Sequence, residues 1–194
     1  LCDWSSDGCS SDLITFTLDA TTTYNANWGS PADTITYAMV EQLPSGATFI
    51  TTTGVFAWTP GANQTGTYTF NFTATGNYEQ CGVARWSVTF RVNRGPHVVE
   101  LLPESWYISH TLTAAVIATD DNGDALTLDY EPKLTGTDLT PITGTGTITS
   151  TFTWNHVNMT AGTYSFTFIT TDAYGLTATA VADITLIENV PYWV

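Results

Sequence analysis

Apolar and polar residues alternate one for one along most of this chain. Ile14, Phe16 and Leu18 alternate with Thr15 and Thr17, and Tyr68, Phe70 and Phe72 alternate with Thr67, Thr69, Asn71 and Thr73. Trp86, Val88, Phe90 and Val92 alternate with Ser87, Thr89 and Arg91. Leu126, Leu128 and Tyr130 follow the same rule, as do Tyr164, Phe166 and Phe168, and Ile184 and Leu186. A two-residue period sends every second side chain to one face of a strand. No stretch carries a sustained apolar stripe at helical spacing. The pattern predicts antiparallel strands with one dry and one wet face. Turn-forming clusters separate them: LPSG at 43–46, TPGANQTG at 59–66, DDNGD at 120–124 and DAYG at 172–175. Many short strands joined in this way predict a β-sandwich or a barrel, and about seven strands per copy favours the sandwich.

The alternating pattern occurs twice. Residues 56–93 and 152–189 match at an offset of 96 positions. Phe56, Trp58, Gly66, Thr67, Tyr68, Phe70 and Phe72 recur as Phe152, Trp154, Gly162, Thr163, Tyr164, Phe166 and Phe168, and Asn93 recurs as Asn189. A repeat of this length is a domain rather than a solenoid turn. The predicted organisation is a first domain over 13–94 and a second over 95–190. Residues 1–12 form a segment of doubtful origin, and residues 191–194 begin a further domain or serve as a donor strand. The sequence starts at Leu1 and stops at Val194 inside strand-like sequence, which reads as a fragment or a processed product.

Charge narrows the function. Four basic residues, Arg85, Arg91, Arg94 and Lys133, face 18 acids, for a formal net charge of −14. Nucleic-acid binding needs clustered Lys and Arg and is excluded on this ground, as is attraction to anionic membranes. No apolar run approaches the roughly 20 residues that span a bilayer. Threonine makes up about a fifth of the chain, which suits the wet face of a half-buried sheet. An acidic, lysine-poor, threonine-rich surface points to an extracellular or cell-surface setting. Of three cysteines, Cys2 and Cys9 are close enough in sequence to bridge, and Cys81 is left over.

The phrase LPSGATFITTTGVFAWTPGANQTGTYTFNFTATG resembles the dystroglycan-type cadherin-like domain. The shared features are the Leu43-Pro44-x-Gly46 turn, the strand Thr53-Gly54-x-Phe56-x-Trp58-Thr59-Pro60, and the strand start Gly66-Thr67-Tyr68. ATDDNGDALTL and TTDAYG in the second copy are similar to the family's acidic turns. That copy departs from the pattern at Trp154-Asn155-His156, and the first copy lacks the acidic turn. The resemblance implies an all-β fold of two tandem Ig-like or cadherin-like antiparallel sandwiches, used in strings for adhesion, spacing or assembly, without enzymatic activity.

Asp120, Asn122, Asp124 and Asp172 are the candidate metal ligands. Several hard oxygens on one tight turn suit Ca²⁺, which takes six to eight of them. The turn is not an EF-hand loop, because Gly123 falls at the fourth position. The bland reading is an Asx-rich turn whose carboxylates bond their own backbone. The first copy offers Gly29-Ser30-Pro31-Ala32-Asp33 and Gly76 at the corresponding places, so calcium is expected in the second domain alone. Asn63, Asn71 and Asn158 each stand in an Asn-x-Thr sequon and are the candidate glycosylation sites. Trp58 and Trp154 read as core. Trp28, Trp106 and Trp193 read as packing beneath loops or as a sugar-stacking or interface surface. His97, His110 and His156 form no catalytic or metal-ligand spacing.

The expected function is a non-enzymatic extracellular structural or adhesive protein. It is a repeating subunit of a fibre or filament that self-associates end to end. Pro191, Tyr192, Trp193 and Val194 are the candidate assembly strand, adding to an open sheet of the next subunit. The rival is a carbohydrate-binding accessory module of a secreted enzyme or adhesin, with glycans as partners.

Overall fold

The structure is a computed structural model, and it describes residues 13–21, 34–77, 82–108 and 110–188. The described residues form strands, turns and loops with no helix. They fall into two compact units that change over between Asn93 and Arg94.

The first unit contains β1 (Ile14–Thr17), β2 (Ile35–Met39), β3 (Ala47–Ile50), β4 (Val55–Trp58), β5 (Gly66–Gly76) and β6 (Val83–Val92). They make two three-stranded antiparallel sheets, β1-β4-β3 and β2-β5-β6. The alternation delivers its dry face to the space between the sheets. Phe56, Trp58, Phe70 and Phe72 are buried there, and the rings meet edge-on or tilted, as the aromatic quadrupole prefers.

The second unit adds β7 (His97–Glu100), β8 (Ser105–Tyr107), β9 (Leu112–Thr119), β10 (Ala125–Glu131), β11 (Thr137–Thr140) and β12 (Thr143–Thr145). It closes with β13 (Thr147–Trp154), β14 (Gly162–Asp172) and β15 (Thr177–Ile187). One layer runs β7-β9-β13-β11. The other runs β12-β10-β14-β15-β8, antiparallel except that β8 lies parallel to β15. A single pair, Thr145 with Thr147, links the layers at the β12–β13 turn. Phe152, Trp154, Phe166 and Phe168 are fully buried between the layers, at the stations of their four counterparts in the first unit.

The pairing also revises the repeat. The offset of 96 holds through β5 and β14 but not beyond. Gly66 pairs with Val92, whereas its equivalent Gly162 pairs with Leu186. The final strand is therefore displaced by two residues, to an offset of 94, because β5 and β6 are joined by 77–82 while β14 and β15 are joined by the shorter 173–176. An even displacement keeps every inward residue inward. Residue alternation thus survives a change that a gapless comparison hides.

Candidate metal site in the second unit

β9 leaves the sheet at Asp120, and the chain reverses within five residues before β10 begins at Ala125. Gly123 takes φ +73°, a left-handed conformation that suits glycine at a tight reversal. Oδ1 of Asp120 accepts the backbone N–H groups of Asn122 and Asp124, both at 2.9 Å. The turn is bolted to its neighbour by the Asp120 amide on the Gly146 carbonyl (2.7 Å) and the Gly146 amide on the Asp124 carbonyl (2.8 Å).

A second turn is built in the same way. Asp172 ends β14, and its Oδ1 accepts the N–H groups of Tyr174 (2.8 Å) and Leu176 (2.9 Å). In both turns a carboxylate caps the amides two and four residues ahead. The register pairs Leu126 with Asp172, which brings the two turns to one end of the sheet. Asp120, Asp124 and Asp172 each then offer one oxygen within 4.8 Å of the others. Asp120 and Asp172 are only 8% and 6% exposed.

These residues fit a hard divalent cation. The turns engage Oδ1 of Asp120, while its Oδ2 is buried without a hydrogen-bond partner among the described residues. A buried carboxylate oxygen left unpaired is costly, and like charges this close repel one another. The adjacent cation goes elsewhere: the Arg94 guanidinium pairs with exposed Asp121 at 2.6 Å. Asn122, the fourth predicted ligand, turns its Oδ1 to the Arg94 backbone N–H at 2.9 Å. The three aspartates among the four predicted residues lie together. The first unit has Gly76 where the second has Asp172, so this carboxylate has no counterpart there.

The sequons lie at the surface. Asn63 and Asn158 are exposed in loops, Asn158 with φ +73°. Asn71 points outward from β5, where its Nδ2 donates to Glu41 Oε1 (2.6 Å) and its amide to Glu41 Oε2 (2.8 Å). These bonds hold the Glu41 carboxyl below its ordinary range, the Asn71 side chain contributing most. Trp106 is partly buried against the core, with its indole N–H on the His110 carbonyl at 3.0 Å. Cys2, Cys9, Cys81, Trp28 and Pro191 to Val194 lie outside the described residues.

Sequence reasoning missed His156. It is buried, and its two ring nitrogens face the carbonyls of Trp154 (3.1 Å) and Tyr107 (3.0 Å), tying the end of β13 to β8. It stands at the station of Pro60, which is buried in the first unit.

No helix among the described residues is long and apolar enough to cross a membrane. No curated protein matches the chain. Among solved structures, extracellular cadherin domains 1–5 of protocadherin gamma B2 are 14% identical with a TM-score of 0.45, over 80% of this chain and 32% of that one. An endo-fucoidan hydrolase of glycoside hydrolase family 107 is 20% identical with a TM-score of 0.37, over 78% of this chain and 24% of that one. The SrpA adhesin of Streptococcus sanguinis is 15% identical with a TM-score of 0.40, over 48% and 58%. The chain thus spans about a third of the protocadherin and about a quarter of the hydrolase. Residues 8–93 match the family model He_PIG, described as "Putative Ig domain". With the two-layer antiparallel plan, that match makes the fold of the first unit immunoglobulin-like.

Proposed function

We propose that this chain is a non-enzymatic, extracellular structural or adhesive protein. Immunoglobulin-like sandwiches repeat along it and associate end to end with neighbouring subunits, as in a surface fibre. The observation that carries the reading is the sandwich plan used twice, with the same four aromatic residues at the same buried stations. A copied core with divergent turns is what a string of modules requires, because each module folds on its own core and the exterior remains free to vary. Asp120, Asp124 and Asp172 would hold Ca²⁺ at the Arg94 end of the second unit. The ion would supply charge neutralisation between the two turns and stiffen the start of that unit. Asn63, Asn71 and Asn158 would carry glycans where a glycosylating secretory route exists.

Electron microscopy of the purified chain tests the proposal. Fibres or regular rows of globular beads are expected at high concentration. Single particles at every concentration, together with hydrolysis of a polysaccharide by the pure chain, would overturn it. Calorimetric titration with calcium chloride tests the ion separately, and an absence of heat at millimolar calcium removes it from the proposal.

A further inference from the structure

Charge is distributed unevenly over the second unit. The outward side chains of β7, β9, β13 and β11 share the outer face of one layer, and the register sets them in rows. Val99 lies beside Ile117, and Ile117 beside Thr149. The Leu101 amide donates to the Ala115 carbonyl at 2.9 Å, which places Leu101 beside Ala115 in the next row. Leu101 and Val99 are 57% and 41% exposed, and β13 adds only threonines to this face. Among the described outward residues of these strands, His97 and Asp138 are the only titratable ones, and they sit on the opposite margins, β7 and β11. Glu100 belongs to the inward side, opposite buried Val116, where its Oε2 accepts the Leu102 amide at 2.8 Å. The other layer carries the acids: Asp129 and Glu131 are exposed on β10, and Asp183 on β15. The first unit repeats the segregation. Thr15, Thr17, Thr48, Ile50, Val55 and Ala57 face outward from β1, β3 and β4 with no charge among them. The charged strand residues of that unit, Arg85 and Arg91, lie on β6 in the opposite layer.

We infer that the outer face of the β7-β9-β13-β11 layer docks against the same face of a second copy of this chain, sheet on sheet at about 10 Å. The formal net charge is −14, so two copies repel wherever their acidic surfaces meet. The layer whose single carboxylate lies at its margin is where they approach without that cost. A face of aliphatic groups and threonines, each with a methyl and a hydroxyl, is also complementary to itself, which a two-fold contact requires. Outward positions about 4.8 Å apart across the strands and about 6.8 Å apart along them give this face roughly 400 Å². A standard interface takes roughly 800 Å² from each partner, so one such contact is weak and depends on concentration. The contact is lateral and closes at two chains. It adds to the end-to-end association proposed above and does not depend on it.

Sedimentation velocity of the full chain, from micromolar to millimolar concentration, tests the inference, with near-ultraviolet circular dichroism to confirm folding. The wild-type chain is expected to form reversible pairs. Leu101→Asp puts a carboxylate on the docking face and should weaken pairing about tenfold. Val181→Asp adds the same charge at an exposed position of the opposite layer and should change pairing by less than about twofold. Added salt should strengthen pairing, because it screens the net repulsion and leaves the apolar contact in place. Equal weakening by the two variants, weakening by neither, or dissociation of the pairs in salt overturns the inference. Growth past two chains that is the same in the wild type and Leu101→Asp also overturns it, and leaves end-to-end association standing on another surface. A wild type that is monomeric at every concentration overturns both.

Discussion

Trp58 and Trp154 occupy the same station, yet their indole N–H groups meet different surroundings. Trp58 donates to the Ser45 carbonyl at 3.1 Å, whereas the Trp154 Nε1 is buried without a partner among the described residues. Replacing Trp58 by Phe removes bulk and a hydrogen bond. Replacing Trp154 by Phe removes the same bulk but also relieves an unsatisfied donor. Urea unfolding should show Trp58→Phe as the more destabilising by about 1–2 kcal/mol. The burial of both indoles was legible in the sequence, because a two-residue period admits only one dry face. The hydrogen-bond difference was not, since the acceptor is a backbone carbonyl reached only after the chain reverses. Glu41 and Asn71 make a second residue-scale prediction. The Glu41 carboxyl is held low by the Asn71 side chain and amide, so its contribution to stability is present above the ordinary glutamate range. It is lost as pH falls below about 4. A Glu41→Gln chain should lose less stability than the wild type between neutral pH and that range. In a glycosylating host, Glu41→Ala should raise occupancy of Asn71, whose acceptor nitrogen is otherwise engaged.

Individual turns and strands show how much of an element its neighbours decide. Gly46 and Gly136 precede the equivalent strands β3 and β11, both with φ near +80°. A Cβ on Gly46 would sit 3.6 Å from the Thr59 carbonyl oxygen, an ordinary contact, whereas one on Gly136 would lie 2.1 Å from the Asn155 carbonyl oxygen. Gly46→Ala therefore carries the left-handed backbone penalty of about 1–2 kcal/mol. Gly136→Ala carries that penalty and a backbone displacement, and should lower the thermal midpoint of its unit markedly further. The LPSG turn was readable in the first copy because Pro and Gly announce it. Its partner KLTG, at 133–136, was not, because Pro is replaced and only the pairing of β11 with β13 aligns the two. The His156 tie from β13 to β8 was hidden for a similar reason. The carbonyls its ring faces belong to Trp154 and to Tyr107, which is 49 residues away in sequence. His156→Ala should loosen β8 without unfolding the aromatic core. Faster hydrogen exchange at 105–108, with 164–168 unchanged, is the expected signature.

At the scale of the whole chain, the two units share a core plan and differ in their acids, and that difference carries a prediction about calcium. Acidic turns were legible as a cluster, since Asp and Gly crowd 120–124. Asp172 was legible with them through the comparison of the copies, since the first copy has Gly76 in its place; the β10–β14 register, which pairs it with Leu126, supplies the proximity. If the Oδ1 caps of Asp120 and Asp172 are the whole purpose of these residues, calcium leaves both units unchanged. Asp172→Asn then destabilises the second unit equally with and without the ion. If the buried Oδ2 of Asp120 is a ligand, a cation bound only by the folded second unit stabilises it by mass action. The gain is about 2.7 kcal/mol when free calcium is 100 times the dissociation constant. Hydrogen exchange in the loops at 120–124 and 172–176 should then slow with calcium, while β5 of the first unit, which ends in Gly76 instead of an aspartate, should not respond. Asp172→Asn should abolish the calcium effect while the Tyr174 and Leu176 amides keep an acceptor in the new side-chain carbonyl. Because the substitution retains the cap and removes the charge, it separates a turn that merely folds from one that also binds.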